Sequence, residues 1–302
     1  MLRTVLLVPV VAGLLLASCG GAEPAANGSR LRVVVSEAAV REWVEAVGGE
    51  AVAVTTLVAP GADVHTFTLS PAALRAVRQA DLVVLVGAGL EAPFERSVRD
   101  NATGRLLVLA ELLEFKPYPE TMLDVDHPQA SREGAARDPH IWLDADLSAA
   151  AARAIAQALG ELRPSAAATF RENAEGYARR LAEADAEVRA RLANLPPDRR
   201  YLVTFHDAYG YFAQRYGLQV LGFVVENPDE EPSAAHVADL VRRIREHGIT
   251  RIYREPQFSA RVVDQVAQET GAEVRELPSH PTSAHPTLPD LWRAMAEAIA
   301  GE

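Results

Sequence analysis

Eight histidines carry most of the specific chemistry this 302-residue chain could perform, and three of them stand in distinctive settings. They are His65 in Gly61-Ala62-Asp63-Val64-His65-Thr66-Phe67, His140 in Asp138-Pro139-His140-Ile141-Trp142-Leu143-Asp144, and His206 in Thr204-Phe205-His206-Asp207-Ala208-Tyr209. Neutral imidazole suits zinc and other borderline transition metals, and three imidazoles with a carboxylate, a water or a fourth imidazole complete a tetrahedral shell. The three positions are far apart in sequence, unlike the local ligand sets of a zinc finger or an HExxH helix. A site made from them therefore forms only when separate folded parts face each other. The single cysteine excludes an intramolecular disulfide and a thiolate cluster, so any metal must be held by His, Asp or Glu.

The remaining residues offer less. His236 falls on the polar side of a helical pattern and His247 near its end, just before Gly248, positions that suit solvent-facing rings or favourable charges at a helix terminus. His127 lies in a polar stretch. There is no GxSxG elbow and no Walker loop, and Gly87-Ala88-Gly89 lacks the third glycine of a dinucleotide fingerprint. A zinc-dependent hydrolase is the enzyme that three histidines allow, with one coordination position left for an activated water and Glu255 or Asp207 as acid or base. With 30 basic against 41 acidic residues and a net charge of -11, the chain lacks the positive footprint that nucleic acid requires. A cation is the better-matched partner.

The elements that must position the histidines follow an α/β rhythm. Leu31 to Val35, Val52 to Val58, Leu82 to Val86 and Leu106 to Leu109 are short aliphatic, β-branched runs separated by helically spaced stretches. The rhythm returns at Tyr201 to Phe205, Gln219 to Val225, Arg251 to Tyr253 and Glu273 to Leu277, with a helical segment over Ser233 to Glu246. The expected fold is two α/β lobes, 30–163 and 195–302, each a roughly four-stranded parallel sheet flanked by helices and each with its own core. Between them, Pro164 to Asn194 holds good helix formers, with Phe170, Tyr177, Leu181, Ala184, Val188 and Leu192 on one face. One helix of that length spans ~46 Å and would be a rigid spine; two helices broken at Gly176 are the alternative. In parallel α/β lobes ligands gather at the carboxyl ends of strands, close to where the three histidines fall.

The amino terminus reads as an export signal. Arg3, the apolar run Val5 to Leu16 and the small residues Ala17-Ser18 precede Cys19, and the run is shorter than the roughly 20 residues that span a membrane. Leu16 to Cys19 resembles the lipobox of bacterial lipoproteins. The resemblance implies a signal peptide over 1–18, Cys19 as the lipid anchor, and residues 19–29 as a flexible tether outside the cytoplasm.

The passages around His65, His140 and His206 are similar to the metal-binding segments of the zinc/manganese solute-binding proteins of bacterial ABC importers. Asn173-Ala174-Glu175-Gly176-Tyr177, Glu231-Pro232-Ser233 and Glu255-Pro256-Gln257-Phe258-Ser259 fit the same family, in order, over nearly the whole chain after the signal. The resemblance implies two lobes on one long helix and metal held by His65, His140 and His206. It also implies a non-enzymatic monomer that passes its cargo to a membrane permease and its ATPase. Where that family often carries an Asp ligand, this chain reads Glu276-Leu277-Pro278-Ser279-His280-Pro281, so Glu255, Glu276, His280 or a water completes the shell, with Glu255 and His280 foremost. Val64 replaces a commonly seen Pro, and the His-rich loop of some zinc members is missing, since Tyr118 to Arg137 has only His127. Three imidazoles without the Asp favour zinc over manganese, which prefers oxygen-rich shells. A hydrolase, or a binding or adhesion lipoprotein on the same fold, is the competing expectation.

Overall fold

The computed structural model describes residues 29–59, 61–117, 137–225, 228 and 231–301. The signal segment, Cys19, most of the tether and His127 lie outside the described residues. The first four strands are β1 (Leu31–Val35), β2 (Val52–Thr56), β3 (Leu82–Leu85) and β4 (Arg105–Val108), all parallel in the order β2-β1-β3-β4. β3 is Leu-Val-Val-Leu with every side chain buried, the continuous apolar run expected of a central strand covered on both faces. Parallel neighbours need crossovers, supplied between β1 and β2 by α1 (Ala38–Gly48), then by α2 (Pro71–Gln79) and α3 (Glu95–Asn101). At the end of β3 the chain turns through Gly87 at φ 82°, where an added Cβ would lie 2.6 Å from Val108 Cγ1.

The second set is β5 (Tyr201–His206), β6 (Gln219–Val225), β7 (Arg251–Arg254) and β8 (Glu273–Glu276). Its four strands do not form one continuous ladder: β5 pairs with β6 and β7 with β8, each in parallel, and β7 lies beside β5. β5 also carries an irregularity between Leu202 and Val203. Around these strands are α6 (Gly210–Tyr216), α7 (Ala234–Glu246), α8 (Arg261–Thr270) and the last helix, which follows α4 (Ala145–Leu162) and α5 (Ala167–Leu192) as α9 (Leu288–Ala300).

α5 is a single helix of 26 residues, about 39 Å long, and it runs through Gly176 without a break. Its first expected turn is instead a 3-10 turn at Pro164–Ala166, where proline opens the segment. Phe170, Tyr177, Leu181, Ala184, Val188 and Leu192 are all buried, as their spacing predicts. The stripe packs chiefly on α4 and α9. At Gly160 of α4 an added Cβ would come within 3.1 Å of Ala167 Cβ, so glycine permits the close turn between α4 and α5.

The cores divide differently from the expected one per lobe. One continuous cluster runs from β1 to β4 through α4 and α5 into Leu202, Tyr209, Phe212, Tyr253, Leu277 and the buried face of α9, including Trp43, Trp142 and Trp292. A smaller cluster, with Val203, Leu221, Leu240, Ile244, Ile252 and Val266, stays within β5 to β8 and their helices. Each large side chain so buried contributes about 1.5–3 kcal/mol. The larger core therefore continues from the first lobe into part of the second. Among the described residues no helix is long and apolar enough to cross a membrane.

Candidate metal centre

His65, His140 and His206 come together. Each offers a ligand nitrogen, and these atoms lie within 4.8 Å of one another. Ring centroids are 6.0 Å apart for His65 and His140, 6.1 Å for His65 and His206, and 5.3 Å for His140 and His206. His65 sits in the loop after β2, where its backbone N–H donates to Asp63 Oδ1 (3.1 Å) and the preceding Val64 is anchored in the core. His206 is the last residue of β5. His140 stands before the 3-10 turn Ile141–Leu143 that leads into α4, whose amino terminus is capped by Asp144. The sites are thus at or beyond the carboxyl ends of strands, as parallel architecture favours.

Two of the three rings are held from behind by buried carboxylates. Asp138 Oδ1 is 2.8 Å from His140 Nδ1 and also accepts the His140 backbone N–H at 2.9 Å. Glu255, immediately after β7, places Oε1 2.5 Å from His206 Nδ1. Its other oxygen accepts from Gln257 Nε2 at 3.1 Å and from the Ser279 hydroxyl. A carboxylate on one ring nitrogen fixes the tautomer, directs the other nitrogen at the site and makes it a better donor. His206 Nε2 accordingly lies buried with no hydrogen-bond partner among the described residues. Buried polar atoms are rarely left so, and a ring nitrogen close to two other imidazoles has the chemistry to serve as a metal ligand.

Protonation follows from the same surroundings. Burial, reinforced by the nearby His206 and His65, holds His140 well below the usual imidazole range, so it stays neutral. Burial also pulls His206 down, but the Glu255 carboxylate, joined by Asp207 and Asp63, outweighs it and leaves His206 raised. Burial and the neighbouring Asp207 hold Asp138 well above the usual carboxylate range.

The two residues named first for the fourth position sit differently from the triad. Both Glu255 oxygens are engaged, one on His206 and one on Gln257 and Ser279. His280 stacks 4.7 Å from Trp142, and its Nδ1 is 2.9 Å from Ser279 Oγ. Neither joins the three-histidine group, and Glu276 instead pairs with Arg254 at 2.8 Å. Burial pushes His280 down to about 3. A chamber of about 30 Å³ adjoins this corner, lined in part by Glu37, Asp63, Gln257, His280 and Thr282.

Hydrogen bonds tie the second lobe to the first-lobe turn: Trp142 Nε1 donates to Ser279 O of the loop (2.6 Å) and Trp292 Nε1 of α9 to Trp142 O (3.0 Å), while within the second lobe Tyr209 OH donates to Leu277 O (2.6 Å). Tyr211 OH donates to Asp138 O at 3.1 Å. Sequence reading missed Ser279, Trp142 and Tyr211 as supports, because nothing in their spacing announces a partner dozens of residues away. Asp138, two residues before His140, was the readable sign. His236 departs from the solvent-facing expectation: its Nε2 is 2.8 Å from Phe223 O, so the ring is a partly buried structural group.

Comparison with known proteins follows from this geometry. The family profile described as ZnuA, zinc-uptake complex component A, periplasmic, matches residues 33–301. The high-affinity zinc uptake system protein ZnuA of Haemophilus ducreyi is 30% identical over 228 residues, covering 70% of this chain and 73% of that one. The iron-binding protein YfeA of Yersinia pestis is 27% identical over 254 residues, covering 83% and 77%. A crystal structure of ZnuA superposes with a TM-score of 0.78 at 28% identity, covering 90% of this chain and 99% of the other.

Proposed function

The chain belongs to the family of periplasmic zinc-uptake component A, and from that premise we propose that it captures a divalent transition metal, zinc before manganese, and delivers it to an ABC importer. The observation that carries this reading is the convergence of three imidazole nitrogens from two lobes within 4.8 Å. His65, His140 and His206 are the ligands. Glu255 and Asp138 act from behind His206 and His140, and a water takes the fourth position. Three neutral nitrogen donors in a compact buried pocket suit a small tetrahedral ion better than the larger oxygen shell manganese prefers. Zinc is cargo here, so the site needs reversible affinity, not chemistry. Glu255, the group a hydrolase would use as its base, has both oxygens committed to support.

The wider assignment follows the same reading. The protein is a monomer outside the cytoplasm, held to a membrane by lipid on Cys19, and the loaded face meets a permease whose transport is driven by a cytoplasmic ATPase. The decisive experiment strips the purified protein with chelator and titrates zinc, manganese and iron while counting bound metal. Zinc is expected at about one per chain and at least about tenfold tighter than manganese. Failure of all three ions to bind at that ratio would sink the reading, and metal-dependent ester or phosphate hydrolysis would favour the enzyme instead.

A further inference from the structure

The loop from the end of β8 to the start of α9 touches the metal centre at one end and the first lobe at the other. Near the centre, Ser279 donates to Glu255, which holds His206, and His280 and Thr282 form part of the wall of the small chamber beside the histidines. At the far end the loop becomes α9 at Leu288, the helix amino terminus. Thr287 caps that terminus from within, its Oγ1 accepting from Asp290 N at 3.2 Å. A second cap comes from a different element: Glu42 of α1 reaches across and its Oε2 accepts the Leu288 N–H at 2.7 Å. The other oxygen, Oε1, accepts the hydroxyl of Tyr177 on α5, also at 2.7 Å.

One half-buried carboxylate thus joins three elements, α1 of the first lobe, the spine α5 and the start of α9. Burial pushes the Glu42 carboxyl up to about 7 against the lowering effect of the Tyr177 and Leu288 bonds, and above that pH its negative charge meets both the free N–H groups at the helix amino terminus and the positive end of the helix dipole. Charge-assisted bonds of this length are about twice as strong as neutral ones. The joint lines a cleft of about 700 Å³ between α1, α5 and the loop, with Arg41, Arg180, Asp290 and Arg293 around it. Those charges are already engaged: Arg41 pairs with Glu45, Arg293 with Glu187 and Asp290, and Arg180 lies over the Tyr177 ring.

We propose that Glu42 is a latch: by capping α9 from the first lobe it pins the loop that closes the metal centre, and so sets how long the ion is retained. The inference rests on the metal-capture reading and adds a positioning residue remote from the ligands. Release of the latch frees Leu288 and lets Ser279 and His280 move away from Glu255 and the chamber without separating the lobes.

The test compares zinc dissociation, followed by trapping with excess chelator, in the wild type, Glu42→Gln, Tyr177→Phe and Glu187→Gln. Measured at about pH 8.5, where the Glu42 carboxyl is ionised, glutamine keeps the shape but loses the charge, so dissociation should speed up at least about tenfold while association changes little. Amide hydrogen exchange over residues 279–288 should rise with it. Tyr177→Phe, which keeps the cap but removes its support, should give a smaller acceleration and serves if Glu42→Gln folds poorly. Glu187→Gln breaks an exposed ion pair between α5 and α9 (Arg293 Nε to Glu187, 2.6 Å) without touching the cap, and should leave dissociation unchanged. Equal acceleration by Glu187→Gln, or dissociation of both latch variants within about twofold of wild type, would overturn the proposal. A wild type that binds no zinc would instead overturn the capture reading, and would be seen before any variant was compared.

Discussion

Replacing Glu255 by glutamine removes one negative charge from behind His206 and changes almost no volume. In the wild type the 2.5 Å contact from Glu255 Oε1 to His206 Nδ1 is fully buried, and the carboxylate is the main counterweight to desolvation, with Asp207 and Asp63, in raising the imidazole above its ordinary range. The same charge makes Nε2 a stronger donor to a cation. Loss of such a partner costs about 10- to 100-fold in metal affinity, or about 1.4–2.8 kcal/mol. The sign with pH is specific. In the wild type a proton competes with zinc for His206 from above its ordinary range downward. In Glu255→Gln burial is opposed only by the more remote Asp207 and Asp63 carboxylates, the imidazole lies lower than in the wild type, and the competition starts at lower pH. The affinity ratio of wild type to variant should therefore be largest near pH 8 and shrink as the pH falls through 7 toward 6. Competition titrations with a fluorescent zinc chelator at several pH values, with thermal melts to confirm folding, measure it. A ratio that is flat with pH, or a loss smaller than about threefold at pH 8, would refute the claim that Glu255 acts through His206.

Other outcomes follow from the same geometry. Substitution of His140 by Ala removes one ligand and leaves Asp138 buried without its partner; zinc affinity should fall by more than about a hundredfold, read by the same titration. Zinc binding should release protons from His206, whose imidazole is raised, and none from His140, which is held low; calorimetry in buffers of different ionisation enthalpy detects the release, and it should lessen in Glu255→Gln. X-ray absorption of the zinc form should show three imidazole nitrogens and one oxygen; a fourth imidazole would point to His280. Arg215 of α6 reaches Asp185 on α5 (2.5 and 3.0 Å) and Asp146 on α4 (2.9 Å), so Asp185→Asn should lower stability by about 2–4 kcal/mol in denaturant melts, with zinc stoichiometry intact.

Residue type and spacing carried a large share of the result. All eight strands are where β-branched runs predict them, and the face from Phe170 to Leu192 is buried as its period requires, because side-chain burial on a strand or helix is set by local periodicity. His65, His140 and His206 stood out for a similar local reason: acidic and aromatic neighbours beside a loop histidine can be read one segment at a time. The roles of Glu255 and His280 could not be read in that way. Both occupy plausible segments, and only the folded arrangement puts Glu255 on the far nitrogen of His206 and turns His280 toward Trp142 and Ser279.

The division is physical. Sequence by itself determined which stretches become strands, which helix is long, and which residue types can hold a borderline cation without thiolates, since these depend on neighbours a few positions away. Tertiary structure alone decided that one core runs through both lobes, that three distant imidazoles meet within 4.8 Å, and that a glutamate on α1 caps a helix 246 residues later. Those contacts arise from chain reversals and packing between elements, and no short-range pattern encodes the partner at the far end.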